Sequence, residues 1–315
     1  MSTVLSLTLP FFGLIFLGFM AAKFFNKEQS ASDWLTIFVV YFTVPALLFS
    51  LLSKAPIEEL GNVTFIIATT GSTLLVFLLA FLVTKSRHKL GIAATSLRAA
   101  AGSYSNCGYL GVPLAVAAFG SSAAIPATLI VCFDSLLIFL LVPVFIALGR
   151  PDWLGFGTVL NDILNRIIFN PLILGCLAGI LAAYFEFTPP GPINRIIEYL
   201  STAAAPCALF ALGVTVGSRA VDSSSSGVSA NIFFKLIVHP LVLLGVLLLV
   251  GITGVWLKTA VLIASLPTAL GVYVIANQAQ VETQNVSSTI LYSTVISLIT
   301  ITSILYIFEL GLLPG

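Results

Sequence analysis

What most constrains this chain is the recurrence of apolar runs long enough to cross a bilayer. A hydrocarbon core of roughly 30 Å takes about 20 residues of helix. Ten segments meet that need: 4–22, 34–52, 63–84, 91–119, 122–148, 167–186, 194–217, 231–250, 255–280 and 285–310. The breaks between them are short and carry most of the charge, as in KFFNKEQSASD, SKAPIEEL, KSRHK, GRPDW and SRAVDSSSS. Of 315 residues, 59% are hydrophobic and 8% charged, where a soluble domain carries about 25% charged residues. Such a chain cannot cover itself with polar surface, so lipid is its solvent. The reading is an all-α polytopic membrane protein with no soluble domain appended, multi-pass in the cell (inner) membrane.

A net charge of +1 offers no basic face for nucleic acid. Cys107, Cys132, Cys176 and Cys207 fall inside apolar segments without a CxxC pair and read as small buried hydrophobes. No metal site and no resident cofactor is expected. MSTVLSLTLPFFG has no positive flank in front of it, and a basic flank follows the span it opens, so it reads as a retained first helix rather than a signal peptide.

Lysine and arginine gather on the cytoplasmic side of membrane proteins. With the N-terminus outside, the inner ends collect Lys23, Lys27, Lys85, Arg87, Lys89, Arg98, Arg150, Arg166, Arg219 and Lys235, and the outer ends only Lys54, Arg195 and Lys258. Both termini are therefore expected outside.

The two halves repeat. At an offset of 161, Pro10, Gly18, Ala21, Ala22 and Phe24 match Pro171, Gly179, Ala182, Ala183 and Phe185, and Pro45 and Phe49 match Pro206 and Phe210. In the later helices the best offset slips to 154 and sets Pro113 on Pro267. Apolar helices also align by chance, but the shared prolines and glycines argue for a true repeat. Five helices per half is an odd number, so residues 1–150 and 151–315 read as two inverted five-helix repeats, a build common among secondary transporters.

Segment 91–119 would run about 44 Å as one straight helix, too long for an untilted span. SNCGYLGVPLAVAAFG interrupts it. Pro113 lacks a backbone donor and disfavours helical geometry at Val112, and Gly108 and Gly111 weaken the turn before it. The ninth segment, LIASLPTALGVYVIANQ, is interrupted at Pro267. A single proline can simply kink a helix. Two at matching places point to a central site, because freed backbone groups at membrane depth need protein or water around them. Half-helices beginning at Pro113 and Pro267 would aim positively polarised N-termini at that site, which favours an anion. The candidate substrate contacts are Asn106, Cys107, Gly108, Tyr109, Gly111, Val112, Pro113, Pro267 and Thr268. Asn106 is the foremost: its amide donates to a carboxylate without adding a charge. It also reads as a plain cap of the first half-helix.

Ionisable groups inside a span are functional candidates by default. Asp134 is the acidic residue deepest in a span, a candidate to take up a proton or a cation, or a structural acceptor. His239, directly before Pro240, is a proton-shuttle candidate or a hydrogen-bonded packing residue. Arg98 is placed to attract anions from the cytoplasm, or snorkels at the interface, and Lys235 reads in the same way. Ser293, Thr294, Ser297 and Thr300 either line a polar path or bond between helices.

NCGYLGVPLAVAAFG resembles the fourth-helix motif of the auxin efflux carrier family, with Asn106 seven residues before Pro113. VVYFTVPALLF, FKLIVHPLVLL and STVISLIT are similar to that family's second, eighth and tenth helices, so the likeness covers essentially the whole chain. It implies ten helices in two inverted repeats, with a scaffold of helices 1, 2, 6 and 7. Helices 3–5 and 8–10 would form a moving transport domain whose broken helices 4 and 9 cross at prolines. It also implies a homodimer and small organic anions such as malate, malonate or auxin-like acids as substrates, exchanged around the crossing by an elevator-type or rocking motion. One departure counts against auxin: the plant carriers have a second Asn just after the sixth-helix proline, where this chain has Leu172. The short GRPDWLGFG link looks bacterial.

The leading function is thus secondary active transport of small organic anions by alternating access, with H+ or Na+ as the candidate coupling ion. A sodium-coupled symporter of the bile-acid carrier type is the alternative, though it calls for more acidic groups near the crossing than Asp134 alone. A membrane-embedded enzyme would need paired aspartates, HExxH or GxSxG, and none is present. No catalytic residue is assigned. A passive channel suits hinge-like prolines less well.

Overall fold

A computed structural model of the protein describes residues 2–25, 29–149, 169–218 and 226–312. Lys27, Arg150, Arg166 and Arg219, with most of the GRPDW and SRAVDSSSS connections, lie outside the described residues.

The first half comprises α1 (Ser2–Phe25), α2 (Gln29–Phe38 continued by Val39–Thr43 and Val44–Leu52), α3 (Val63–Arg87), α4 (Ile92–Ser103), α5 (Cys107–Gly111 continued by Val112–Phe119) and α6 (Ala124–Leu148). The second comprises α7 (Pro171–Tyr184), α8 (Gly191–Ser218), α9 (Val228–Phe233 continued by Phe234–Val238 and His239–Leu249), α10 (Gly254–Ala264), α11 (Leu270–Ala279) and α12 (Thr283–Glu309). Among the described residues, six helices are long and apolar enough to cross a membrane, within Trp34–Leu52, Ile57–Arg87, Ser121–Leu148, Gly191–Ser218, Val228–Leu249 and Thr283–Glu309. Leu9–Phe25, Cys107–Phe119, Pro171–Tyr184 and Gly254–Ala264 are shorter apolar helices.

Prolines shape this bundle in two ways. Pro45, Pro113 and Pro240 each stand second in an α segment, and each is preceded by a five-residue π turn: Val39–Thr43, Cys107–Gly111 and Phe234–Val238. A proline inside a helix clashes with the carbonyl four residues back. Widening the preceding turn to i→i+5 bonding relieves that clash and lets the helix continue. Pro267 instead lies in a non-helical stretch between α10 and α11.

This corrects where the interruptions fall. The fourth span leaves helical geometry at Tyr104–Asn106, seven residues before Pro113, and Pro113 sits inside a helix already begun at Cys107. The ninth resumes at Leu270, not at Pro267. Pro113 and Pro267 are therefore not counterparts. The first half-helices end at Ser103 and Ala264, which keeps the offset of 161 found in the early helices.

Packing falls into two groups. Helices α1, α2, α7 and α8 pack chiefly on one another, and α3–α6 pack with α9–α12. In the first group, small residues let backbones touch. A Cβ added at Gly18 would collide with the carbonyl of Phe210, and one at Gly179 would lie 3.1 Å from Phe49 Cα and 2.8 Å from Leu52 Cβ. Such close approach is how helices associate without a hydrophobic driving force between them.

Candidate functional site

The two interrupted spans repair each other. Ser105 and Thr268 form an isolated antiparallel bridge. Asn106 N–H donates to Pro267 O at 2.9 Å, and Ala269 N–H donates to Tyr104 O at 3.0 Å. A helix that stops leaves its last carbonyls without donors, and here neighbours supply them. Thr268 Oγ1 donates to Ala101 O of α4 at 2.6 Å, Lys235 Nζ to Ala264 O of α10 at 2.6 Å, and Thr300 Oγ1 to Ser265 O at 3.1 Å. Ser293 Oγ accepts from Thr268 N–H at 3.2 Å.

The opposite polarity is left open. Neither Asn106 before α5 nor Ala269 before α11 makes a side-chain cap. No backbone carbonyl accepts from the N–H groups of Tyr109, Leu270 or Gly271, nor from that of Gly108, which instead lies against the Cys107 thiol. Beside them, the amide nitrogen of Asn106 and the hydroxyl of Ser105 are buried with no partner, each residue being 1% exposed. Buried polar atoms are seldom left unpaired. All six residues line one cavity of about 480 Å³, closed on its other side by residues such as Val40 and Val44 of α2 and Leu172 of α7.

Of the sequence-derived contacts, Asn106, Cys107, Gly108 and Tyr109 line this cavity. Gly111, Val112 and Pro113 continue α5 behind it, and Pro267 and Thr268 are buried in the bridge, where Thr268 spends its hydroxyl and its N–H on the framework. The polar face of α12 holds the interruption: Ser293 and Thr300 bond across to it, and Thr294 and Ser297 bond within α12. Arg98 does not line the cavity. Its Nε and Nη2 donate to Glu282 Oε2 and Oε1 at 2.6 and 3.3 Å, while its Nη1 is buried with no partner.

A second polar assembly runs through the core of the larger helix group. Thr73 Oγ1 donates to Asp134 Oδ2 at 2.8 Å, and the same hydroxyl lies 3.3 Å from His239 Nε2. His239 Nδ1 lies 3.3 Å from Lys235 Nζ. An ammonium only donates and a carboxylate only accepts. That assigns the proton of the imidazole to Nε2, so every bond points from Lys235 through His239 and Thr73 to Asp134. All four residues are buried, and Asp134 Oδ1 has no partner. Lys235 is fully buried and does not snorkel, contrary to the interfacial reading. Sequence reasoning missed Thr73 and read Lys235 only as an attractor of anions or an interfacial residue. The available signal was the four-residue spacing of Lys235 and His239 on one helix face. Among the described residues, no group of three or more His, Cys, Asp or Glu is placed to hold a metal ion.

A multi-pass helical bundle with interrupted helices closing a polar-floored cavity is the build of a membrane transport protein. The chain belongs to the membrane transport protein family of the auxin efflux carriers, whose signature matches residues 3–150 and 156–305. It is 41% identical, over 100% of its length and 99% of the relative's, to a protein of Rhizobium meliloti (strain 1021) named "Putative malonate transporter". It is 23% identical to auxin efflux carrier component 8 of Arabidopsis thaliana over 98% of both chains. The family transports solutes and is not a family of enzymes.

Proposed function

We propose that this protein is a secondary active transporter of small organic anions, malonate foremost, working by alternating access around the paired interruptions. The observation that carries the reading is the floor of the cavity. Two uncapped helix N-termini and the unpartnered amide of Asn106 meet there, an arrangement that offers donors and partial positive charge to a carboxylate.

An inverted repeat underlies it. Gly18 packs on Phe210 and Gly179 on Phe49, and the offset of 161 turns one contact into the other. In this reading α4–α5 and α10–α11 are the crossing helices of a ten-span bundle with both termini outside. The group α1, α2, α7 and α8 is the scaffold and forms the homodimer, and the remaining helices move as an elevator. The cavity is bounded by Phe169, Asn170 and Ser218, beside the inner ends of α7 and α8, so it faces the cytoplasm.

Coupling falls to the chain of Asp134, Thr73, His239 and Lys235. The bare Asp134 Oδ1 is the place for a proton, and the assembly lies directly against the end of α10, so its charge state bears on the interruption. H+ suits it better than Na+, because a continuous chain of hydrogen bonds through His239 and Thr73 leads to the carboxylate.

Purified protein in liposomes should take up labelled malonate. Asn106→Ala removes a donor to a charged group, worth about 1.5–3 kcal/mol, and should raise the malonate Kd by roughly ten- to a hundredfold with the melting temperature unchanged. Normal affinity in the variant would remove Asn106 from the site.

A further inference from the structure

The chain of bonds from Lys235 to Asp134 meets the paired interruptions at both of its ends. At one end Lys235 Nζ donates to Ala264 O, where α10 stops. At the other, Asp134 is followed on α6 by Ser135, whose Oγ lies 2.7 Å from the hydroxyl of Tyr104. Tyr104 is the residue at which α4 stops. Its N–H donates to Ala100 O at 2.9 Å and its carbonyl accepts from Ala269 N–H at 3.0 Å, so its backbone is pinned to its own helix and to the opposite span. Its ring packs on the start of α11, where a Cβ added at Gly271 would lie 3.7 Å from Tyr104 Cε1. Both Tyr104 and Ser135 are buried. Hydroxyls donate as well as accept, so the pair holds whichever way its protons point. A chain anchored at one interruption follows it without distortion. A chain anchored at both feels any change in the distance between them.

We propose that Tyr104, through Ser135, is the positioning residue that ties the crossing to the coupling carboxylate, so that the charge on Asp134 and the arrangement of the two interruptions change together. The inference rests on the reading of Asp134 as the coupling group and adds the residue that connects it. The titratable side chains set around Asp134 are Lys235 and His239 of α9, Cys107 of α5 and Tyr104 of α4, and α3 faces it with the hydroxyls of Thr70 and Thr73. Of these residues, Tyr104 alone has a backbone bond to the opposite interruption. Neutralising Asp134 removes the acceptor charge that orders the chain from Lys235, and the turn of α6 that bears Asp134 and Ser135 relaxes with it. The Tyr104 hydroxyl passes that shift to Ala269 and the start of α11.

The test is uptake of labelled malonate by the protein in liposomes, with and without an imposed pH gradient, and with Asp134→Asn as the reference. Ser135→Ala removes the partner of the phenol and nothing that lines the cavity. It should bind malonate, and take it up without a gradient, as the wild type does. Its stimulation by the gradient should fall about fivefold or more, the low end of the range for coupled sites. Tyr104→Phe keeps the ring against Gly271 and deletes the hydroxyl, and its stimulation should fall to the same level. The double variant should respond like either single, because the two hydroxyls act as one pair.

If Asp134→Asn loses the gradient response and a folded Ser135→Ala or Tyr104→Phe protein keeps it in full, Tyr104 is not the link and the coupling role of Asp134 stands. If all three keep the response, the coupling reading falls and this inference with it. A Ser135→Ala protein whose malonate affinity drops in step with its uptake would also overturn the proposal, since the pair would then only hold the shape of the cavity.

Discussion

Lys235 Nζ donates to the carbonyl of Ala264 at 2.6 Å, so a fully buried ammonium caps a helix that stops inside the bundle. The C-terminal end of a helix carries a partial negative charge, and at this depth water is not there to meet it. The same ammonium starts the chain of bonds that ends on Asp134. One charge thus serves both the shape of the interruption and the group proposed to couple it.

Lys235→Met keeps most of the side-chain volume and deletes the charge. It leaves Ala264 O and His239 Nδ1 without a donor and Asp134 without the cation at the far end of the chain. Removing one partner of a buried charge pair costs about 3–5 kcal/mol, and a melt in detergent should show a loss of that order. Because the residues form one network, Lys235→Met with Asp134→Asn should be less destabilised than the sum of the singles. Strict additivity would mean that the network is not energetically connected.

Asp134→Asn is close to isosteric and cannot take up a proton. It should bind malonate with unchanged affinity, since Asp134 does not line the cavity, yet lose the stimulation of uptake by an imposed pH gradient. Should the variant still respond to the gradient like the wild type, Asp134 is not the coupling group.

The helices were legible because lipid imposes one requirement on a span, a run of apolar residues, and that is written locally. Two interruptions were also expected, but their position was misplaced by several residues. Proline marks a conflict with α geometry without saying how it is resolved: at Pro45, Pro113 and Pro240 a π turn absorbs it, and at Pro267 the helix ends. What stops α4 at Ser103 is pairing with a segment more than 160 residues later, and no local signal carries that. Lys235 was misread for the same reason, since its carbonyl partner is 29 residues away on another helix.

Close helix contact at two glycines gives a test of the repeat. Gly18→Ala and Gly179→Ala each force a methyl into backbone or a packed leucine, and overpacking of this kind costs about 1–3 kcal/mol. Gly245→Ala, where an added Cβ meets nothing within 4 Å, should be neutral or slightly stabilising. Thermal melts of the three variants should separate the first two from the third. Equal melts would mean that α1–α8 and α2–α7 do not approach as closely as described.

Glu282 combines an ion pair with an unfavourable backbone. It sits at φ 53°, in the left-handed region, and its carboxylate receives two bonds from Arg98, tying α4 to the start of α12. For a residue with a Cβ that conformation costs about 1–2 kcal/mol, and the ion pair offsets it. Glu282→Gln keeps the strain and gives up the charge, leaving the buried Arg98 unmatched. Glu282→Gly gives up the same charge but relieves the backbone. The glycine variant should therefore melt higher than the glutamine variant by an amount corresponding to about 1 kcal/mol. Arg98→Met added to Glu282→Gly should recover more, because no unmatched charge then remains in the core. If glycine proves worse than glutamine, the left-handed backbone at Glu282 carries no strain and the ion pair is not what holds it there.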